Sequence, residues 1–232
     1  MNVLLRITII AAWLFMSFNG HAQIDQSKLG GWYMYAFNTT FKESAWGIQG
    51  DFQYRSWNGI DDLEQLLLRS GFTFKPKNAD IKFTAGYADI TSGAFGDENT
   101  TSRESRIYQE ALFPVKIGKR FYTNHRFRYE QRFVENQDFR TRYRYCLFLN
   151  VPLNKSDFSK HAVYLSFYNE VFINGQRAIG NGATVEMFDR NRLFAGLGYV
   201  VMDNLRIQLG LMNQSTDKWR KNQFQLAVLH KI

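Results

Sequence analysis

Residues 125–133 read HRFRYEQRF, and residues 139–149 read FRTRYRYCLFL. In the first stretch Arg126, Arg128, Glu130 and Arg132 share one parity, and Phe127, Tyr129 and Phe133 share the other. In the second, Arg140, Arg142 and Arg144 oppose Phe139, Tyr143, Tyr145, Leu147 and Leu149. Side chains of a β-strand point alternately to the two faces of a sheet, so each stretch has one charged face and one apolar face. A helical period of 3.6 would scatter Phe127, Tyr129 and Phe133 and leave no apolar stripe.

The same period of two extends through the chain. Leu205, Ile207, Leu209 and Leu211 alternate with Arg206, Gln208, Gly210 and Met212, and Ile81, Phe83, Ala85 and Tyr87 alternate with Lys82, Thr84, Gly86 and Ala88. Segments of this kind span approximately 31–38, 45–56, 63–74, 80–90, 104–116, 120–134, 138–151, 160–173, 188–201, 204–213 and 221–232. Several reach a dozen residues. Soluble strands average about 5–6 residues, and strands that cross a membrane in a barrel need about 9–11. Length therefore favours an all-β, transmembrane, antiparallel up-and-down β-barrel over a soluble sandwich. Alternation alone does not say which face meets solvent, so the sandwich stays open.

The connections after residues 38, 74, 116, 151 and 201 read as mostly tight, and 91–103 and 174–187 read as long loops. Short turns on one rim and longer loops on the other are the habit of outer-membrane barrels. Such single-chain barrels use even strand numbers. The expectation is therefore a closure of about ten strands from residue 45 to 232, with twelve as the alternative. Segment 31–38 would then be an accessory strand, a plug or a threaded piece.

The N-terminus predicts export. Met1–Arg6 is a short basic start, Ile7–Phe18 is apolar, and Gly20 and Ala22 are the small residues a signal peptidase reads. The expected signal peptide is 1–22, and 23–232 is expected to form a single barrel domain. Cleavage leaves 210 residues with 28 basic against 21 acidic side chains, a formal charge of +7. One cysteine, Cys146, excludes a disulfide scaffold and a multi-cysteine metal module. With 45% hydrophobic residues the chain is not disordered.

The arginine-rich strands carry the functional reading. The hairpin 120–151 gathers Arg126, Arg128, Glu130, Arg132, Arg140, Arg142 and Arg144 on one face, and flanking strands add Glu110 and Glu170. Facing lipid, each mid-bilayer arginine would cost about 2–4 kcal/mol. The set is therefore expected to line a lumen. There, Arg–Glu pairs either brace the barrel shut or leave an excess of +3 that attracts a small anion. Gly71, Gly86, Ala88, Gly196, Gly198 and Gly210 are expected to leave room on the opposite wall, for arginines reaching across or for water. Tyr54, Trp57, Tyr122 and Phe172, near strand ends, are expected in the interfacial girdles, with Phe127, Tyr129, Tyr143 and Tyr145 facing lipid.

Catalytic motifs are lacking. There is no G-x-S-x-G, no G-x-x-x-x-G-K-[ST] and no H-E-x-x-H. His125, His161 and His230 stand apart from any His-x-Ser pair, and Asp61–Asp62 and Asp97–Glu98 fall in or beside loops. No catalytic, cofactor-binding or metal-binding residue is assigned. The expected partners are membrane lipid and a small anion in the lumen. Nucleic acid is not expected, and the barrel is read as a monomer.

The strings HRFRYEQRF and FRTRYRYCLFLNVPLN (139–154), with YNEVFIN (168–174), DRNRLFAGLGY (189–199) and LGLMNQ (209–214), resemble an uncharacterised Bacteroidota outer-membrane barrel family, domain of unknown function 2490. WGIQGDFQYR (46–55) and QLLLRSGFTF (65–74) fit its early hairpins. The resemblance implies an exported barrel in the outer membrane of a Gram-negative bacterium and supplies no substrate or catalytic residue. The leading expectation is a structural or small pore-like barrel. A rim enzyme acting on lipid or peptide, and a scaffold or receptor using loops 91–103 and 174–187, are the alternatives.

Overall fold

The computed structural model describes residues 27–96 and 100–232. The expected signal peptide and the Asp97–Glu98 pair lie outside the described residues. Eleven strands follow in chain order: β1 (Gly30–Thr40), β2 (Trp46–Asn58), β3 (Asp61–Phe74), β4 (Lys82–Gly93), β5 (Thr101–Ile117), β6 (Phe121–Val134), β7 (Arg140–Pro152), β8 (Val163–Asn174), β9 (Phe188–Met202), β10 (Leu205–Ser215) and β11 (Arg220–Lys231). Each pairs with its chain neighbours in antiparallel fashion, and β1 closes the barrel against β11.

The strand number corrects the expectation of ten. Segment 31–38 is neither plug nor accessory but the core of β1. It pairs with β11 in parallel register from Gly30↔Gln223 to Asn38↔Lys231 and with β2 from Gly31↔Ser56 to Thr40↔Gly47. The physical reason is simple. In a meander, alternate strands run in opposite directions, so an odd count makes first and last run the same way. They can still bond through the slanted ladder of a parallel pair. Even number is a habit of bacterial barrels and not a geometric requirement; a nineteen-stranded mitochondrial barrel is known.

The rims differ less than expected. β4 and β5 extend far enough to shrink the 91–103 loop to 94–100. The β2–β3 connection is only Gly59–Ile60, where Gly59 takes the positive φ (59°) that a two-residue hairpin demands. On the other rim, 153–162 is a substantial loop. The 175–187 segment is the long connection. It folds on itself through an Ala178↔Thr184 bridge and rests on the neighbouring turn through Asp138 N–H to the Ile179 carbonyl (2.9 Å).

Hydropathy is inverted relative to a soluble core. Phe52, Phe72, Phe127, Tyr143, Leu197 and Leu211, from six different strands, are each more than half exposed. The buried set is dominated by arginine, glutamate, glutamine and threonine. The glycines on the far wall make room, but not for arginines or water. A Cβ at Gly71 or Gly86 would overlap Tyr108, at Gly196 or Gly210 it would overlap Phe194, and at Gly198 it would overlap Tyr164. All three rings are almost fully buried. Substituting Gly198 by alanine must displace the Tyr164 ring and should cost about 1–3 kcal/mol, as overpacking does. Urea unfolding of the purified chain measures it. In a double-mutant cycle with Tyr164→Ala the two changes should be less than additive; strict additivity would refute the contact.

Trp57 and Phe172 are also inside, contrary to the expected girdle positions, with 9% and 1% of their surfaces exposed. Their parity places them there. Trp57 continues the inward row of Gln53 and Arg55, and Phe172 that of Glu170. Trp57 packs edge-on against Phe95 and Trp219 at the rim.

Candidate functional site

The hairpin register of β6 and β7 sets Arg128 opposite Arg144, Glu130 opposite Arg142 and Arg132 opposite Arg140. The next pairs place Glu110 beside Arg128, and Glu170 beside Cys146 and Arg192. Inward parity on four consecutive strands thus concentrates long charged side chains in one sector of the lumen.

Carboxylates interlock the strands. Glu130 accepts from Arg142 Nε (2.9 Å) and Nη2 (2.6 Å) on one oxygen and from Arg144 Nη1 (2.5 Å) on the other. Glu170 accepts from Arg144 Nε (2.9 Å) and Nη2 (2.6 Å), and from Arg126 Nη2 (2.7 Å). Glu110 accepts from Arg128 Nε (2.8 Å) and from Gln49 (3.2 Å). Of the nine residues expected in the network, eight meet in these ion pairs or in that of Arg132. Arg140 is buried, but its side chain has no ion-pair partner among the described residues, and its Nε has no acceptor.

Several members were not expected. Glu104 binds both Arg106 (2.6 and 2.7 Å) and Arg132 (2.5 and 3.0 Å). Asp51 accepts from Arg69 Nε (2.8 Å) and from Gln53 (2.6 Å). These share parity with inward neighbours and were legible from alternation. Asp189 and Glu64 were not. Simple alternation puts both on the outside. The register slips at Phe172/Ile173 against β9 and at Arg55/Ser56 against β3, and each bulge turns the extra acidic residue inward. Asp189 then reaches Arg142 Nη1 (2.7 Å), and Glu64 accepts from Gln223.

Rings and guanidiniums alternate through the lumen. Arg128 lies over Tyr108 (4.8 Å to the ring centroid), and Arg144 (4.4 Å) and Arg142 (5.2 Å) lie over Phe172. Arg55 (3.9 Å) and Arg192 (4.9 Å) both lie over Trp32. From β2 to β9, eleven buried or half-buried arginines (55, 69, 106, 126, 128, 132, 140, 142, 144, 190 and 192) face seven carboxylates (51, 64, 104, 110, 130, 170 and 189), so guanidiniums outnumber carboxylates by four.

The braces divide the lumen. A cavity of about 200 Å³ lies toward the 59–60 rim, lined by Trp32, Arg55, Glu104, Arg132, Phe172 and Arg192 among others. A second of about 370 Å³ lies toward the 118–120 rim, lined by residues including Asn38, Asp51, Glu110, Asn150 and Ser166. Arg69, Arg126, Phe148 and Tyr168 belong to both walls.

The histidines are elsewhere. His125, His161 and His230 each bond through Nδ1 to a tyrosine hydroxyl, of Tyr145 (2.8 Å), Tyr199 (2.7 Å) and Tyr35 (2.9 Å). All three lie toward the rim of the 118–120, 153–162 and 203–204 turns. Among the described residues none of these histidines is bonded to a hydroxyl or thiol of serine, threonine or cysteine. Among the described residues no group of three His, Cys, Asp or Glu side chains could hold a metal. Asp61 and Asp62 open β3, and Asp62 Oδ2 accepts the Gly96 amide (3.0 Å).

Two comparisons bear on this arrangement. The family described as "Protein of unknown function (DUF2490)" matches residues 29–225, a span that begins just before β1 and ends within β11. An uncharacterised protein of Methylorubrum extorquens is 28% identical over 185 residues, covering 77% of this chain and 76% of that protein.

Proposed function

The chain belongs to the DUF2490 family, and from its wall and lumen we propose that it is a monomeric β-barrel of the Gram-negative outer membrane, closed inside and structural, not pore-forming. The observation that carries the reading is the outer wall. Apolar side chains from six strands are more than half exposed, while the charges are sequestered inside. Soluble monomers rarely present apolar patches beyond a few hundred Å², whereas a membrane barrel needs an encircling apolar band about 25 Å tall. The His–Tyr pairs lie where such a band would end. Amphipathic rings favour that boundary, since their polar atoms reach headgroups and their bodies stay in hydrocarbon.

The lumen argues against conduction. Arginine and glutamate side chains from β5 to β8 cross-link within it, Arg142 extends the links to Asp189 of β9, and buried aromatic rings fill the wall opposite. In planar bilayers the reconstituted chain should show no conductance steps above background. Regular steps abolished by bulky substitutions at Gly198 would overturn the closed-lumen reading. Expression of the full chain in a Gram-negative host followed by membrane separation tests location. Recovery in the soluble periplasmic fraction would remove the membrane part.

A further inference from the structure

Most of the lumenal guanidiniums have a carboxylate within ion-pair distance. Arg55 and Arg192 do not, and both are 4% exposed. Arg55 donates its terminal nitrogens to Gln65 (2.8 Å) and Gln53 (2.5 Å), and its Nε is buried with no acceptor. Arg192 donates Nε to Gln214 (2.6 Å), and its terminal amino groups find no acceptor among the described residues. Both guanidiniums lie over the Trp32 ring, and both line the cavity of about 200 Å³. Arg190, whose ion pair is with the adjacent Asp189 (3.2 Å), lines it too.

Buried charges left unpaired are strongly unfavourable, and two like charges gathered on one ring make this worse. Among the described residues no carboxylate comes within ion-pair distance of either; Glu104 and Glu170 line the same cavity but are held by Arg106 and Arg132 and by Arg126 and Arg144, and the nearby Gln53, Gln65, Gln214 and Gln225 are neutral acceptors. What the two guanidiniums lack is an anion with several oxygens. Guanidinium forks match phosphate oxygens in bidentate fashion. In a cavity of this kind about 10–15 Å³ suffices for one water, so there is room for a tetrahedral oxyanion with hydration. We propose that this cavity binds the phosphate group of a small solute, free or esterified, held between Arg55 and Arg192 beside Trp32. Two unpaired cations select a dianion over chloride or a monocarboxylate. The site depends on the lumen being enclosed and not on the barrel's location, so a failure of the outer-membrane reading leaves it standing.

The test is equilibrium dialysis of the purified full chain in detergent against labelled inorganic phosphate, with glycerol phosphate, acetate and chloride as competitors. Saturable binding near one phosphate per chain is expected. Competition by glycerol phosphate equal to that of phosphate would point to an esterified ligand, and weaker competition would point to the free ion. Arg55→Gln and Arg192→Gln should each weaken binding at least tenfold. Arg140→Gln should leave it unchanged, because Arg140 also lacks an ion pair but does not line this cavity. If Arg192→Gln does not fold, Arg55→Lys carries the test, keeping charge but losing the fork, and should also bind more weakly. No saturable binding by the native chain would overturn the proposal. So would equal loss in Arg140→Gln, or displacement of phosphate by acetate or chloride at matching concentration.

Discussion

Replacing Glu130 by alanine should destabilise the folded barrel by about 3–5 kcal/mol, the cost of stripping one partner from a buried ion pair. Glu130 is 2% exposed and is the hub of the network. It holds Arg142 and Arg144 directly, and Arg106 and Arg128 stand 3.9 Å away. Its removal leaves four guanidiniums converging on an empty volume. Arg142 keeps Asp189 and Arg144 keeps Glu170, which limits the damage without cancelling it. Glu130→Gln preserves shape and one acceptor and should cost less than alanine. Glu186→Ala is the contrast. Its ion pair with Arg177 (3.4 Å) has both side chains more than half exposed, and pairs of that kind are worth about 0–1 kcal/mol. Urea midpoints of the three variants decide the matter. Equal midpoints for Glu130→Ala and Glu186→Ala would show that the lumen is wet enough to screen the charges.

Replacing Phe127 by arginine should cost about 2–4 kcal/mol in a bilayer, the penalty for a cation at mid-membrane on the lipid face of a barrel. Phe127 sits at the centre of β6, half-exposed, against Tyr145 (4.9 Å between centroids) and Phe113 (5.9 Å). In water an exposed substitution would move stability by about 0.5 kcal/mol or less. Unfolding from lipid vesicles distinguishes the two. A difference between native and variant chains below 0.5 kcal/mol, the ceiling expected in water, would mean that this wall does not face hydrocarbon.

Much of this was legible in the sequence, and the misses share a physical origin. Period-two alternation located all eleven strands and assigned Arg126 to Arg144 to one interior face, because a strand has no other way to present side chains. The same rule, applied to Trp57 and Phe172, places both inside. Position near a strand end favours the girdle, and parity overrides it at both residues. The even number habitual in closed barrels does not bind this one, because β1 pairs with β11 in parallel register from Gly30 to Asn38. Glu64 and Asp189 could not be read, since a bulge shifts the pleat by one residue and leaves no mark in the hydropathy pattern. The three rings over glycines were half-legible. Gly71, Gly86, Gly196, Gly198 and Gly210 announced space, but which side chain enters it depends on cross-strand register.

The parallel seam between β1 and β11 has a topographic consequence. Both strands run from the 59–60 rim toward the 118–120 rim, so Gly30 and Lys231 lie at opposite mouths. An even meander returns its two ends to one side of whatever it crosses; this one delivers them to different sides. In the membrane placement proposed above, two reporters, one fused just ahead of Gly30 and one after Ile232, are therefore expected in different compartments. In that placement, insertion from a single side would have to translocate one end of the barrel, a demand that an even strand count does not make.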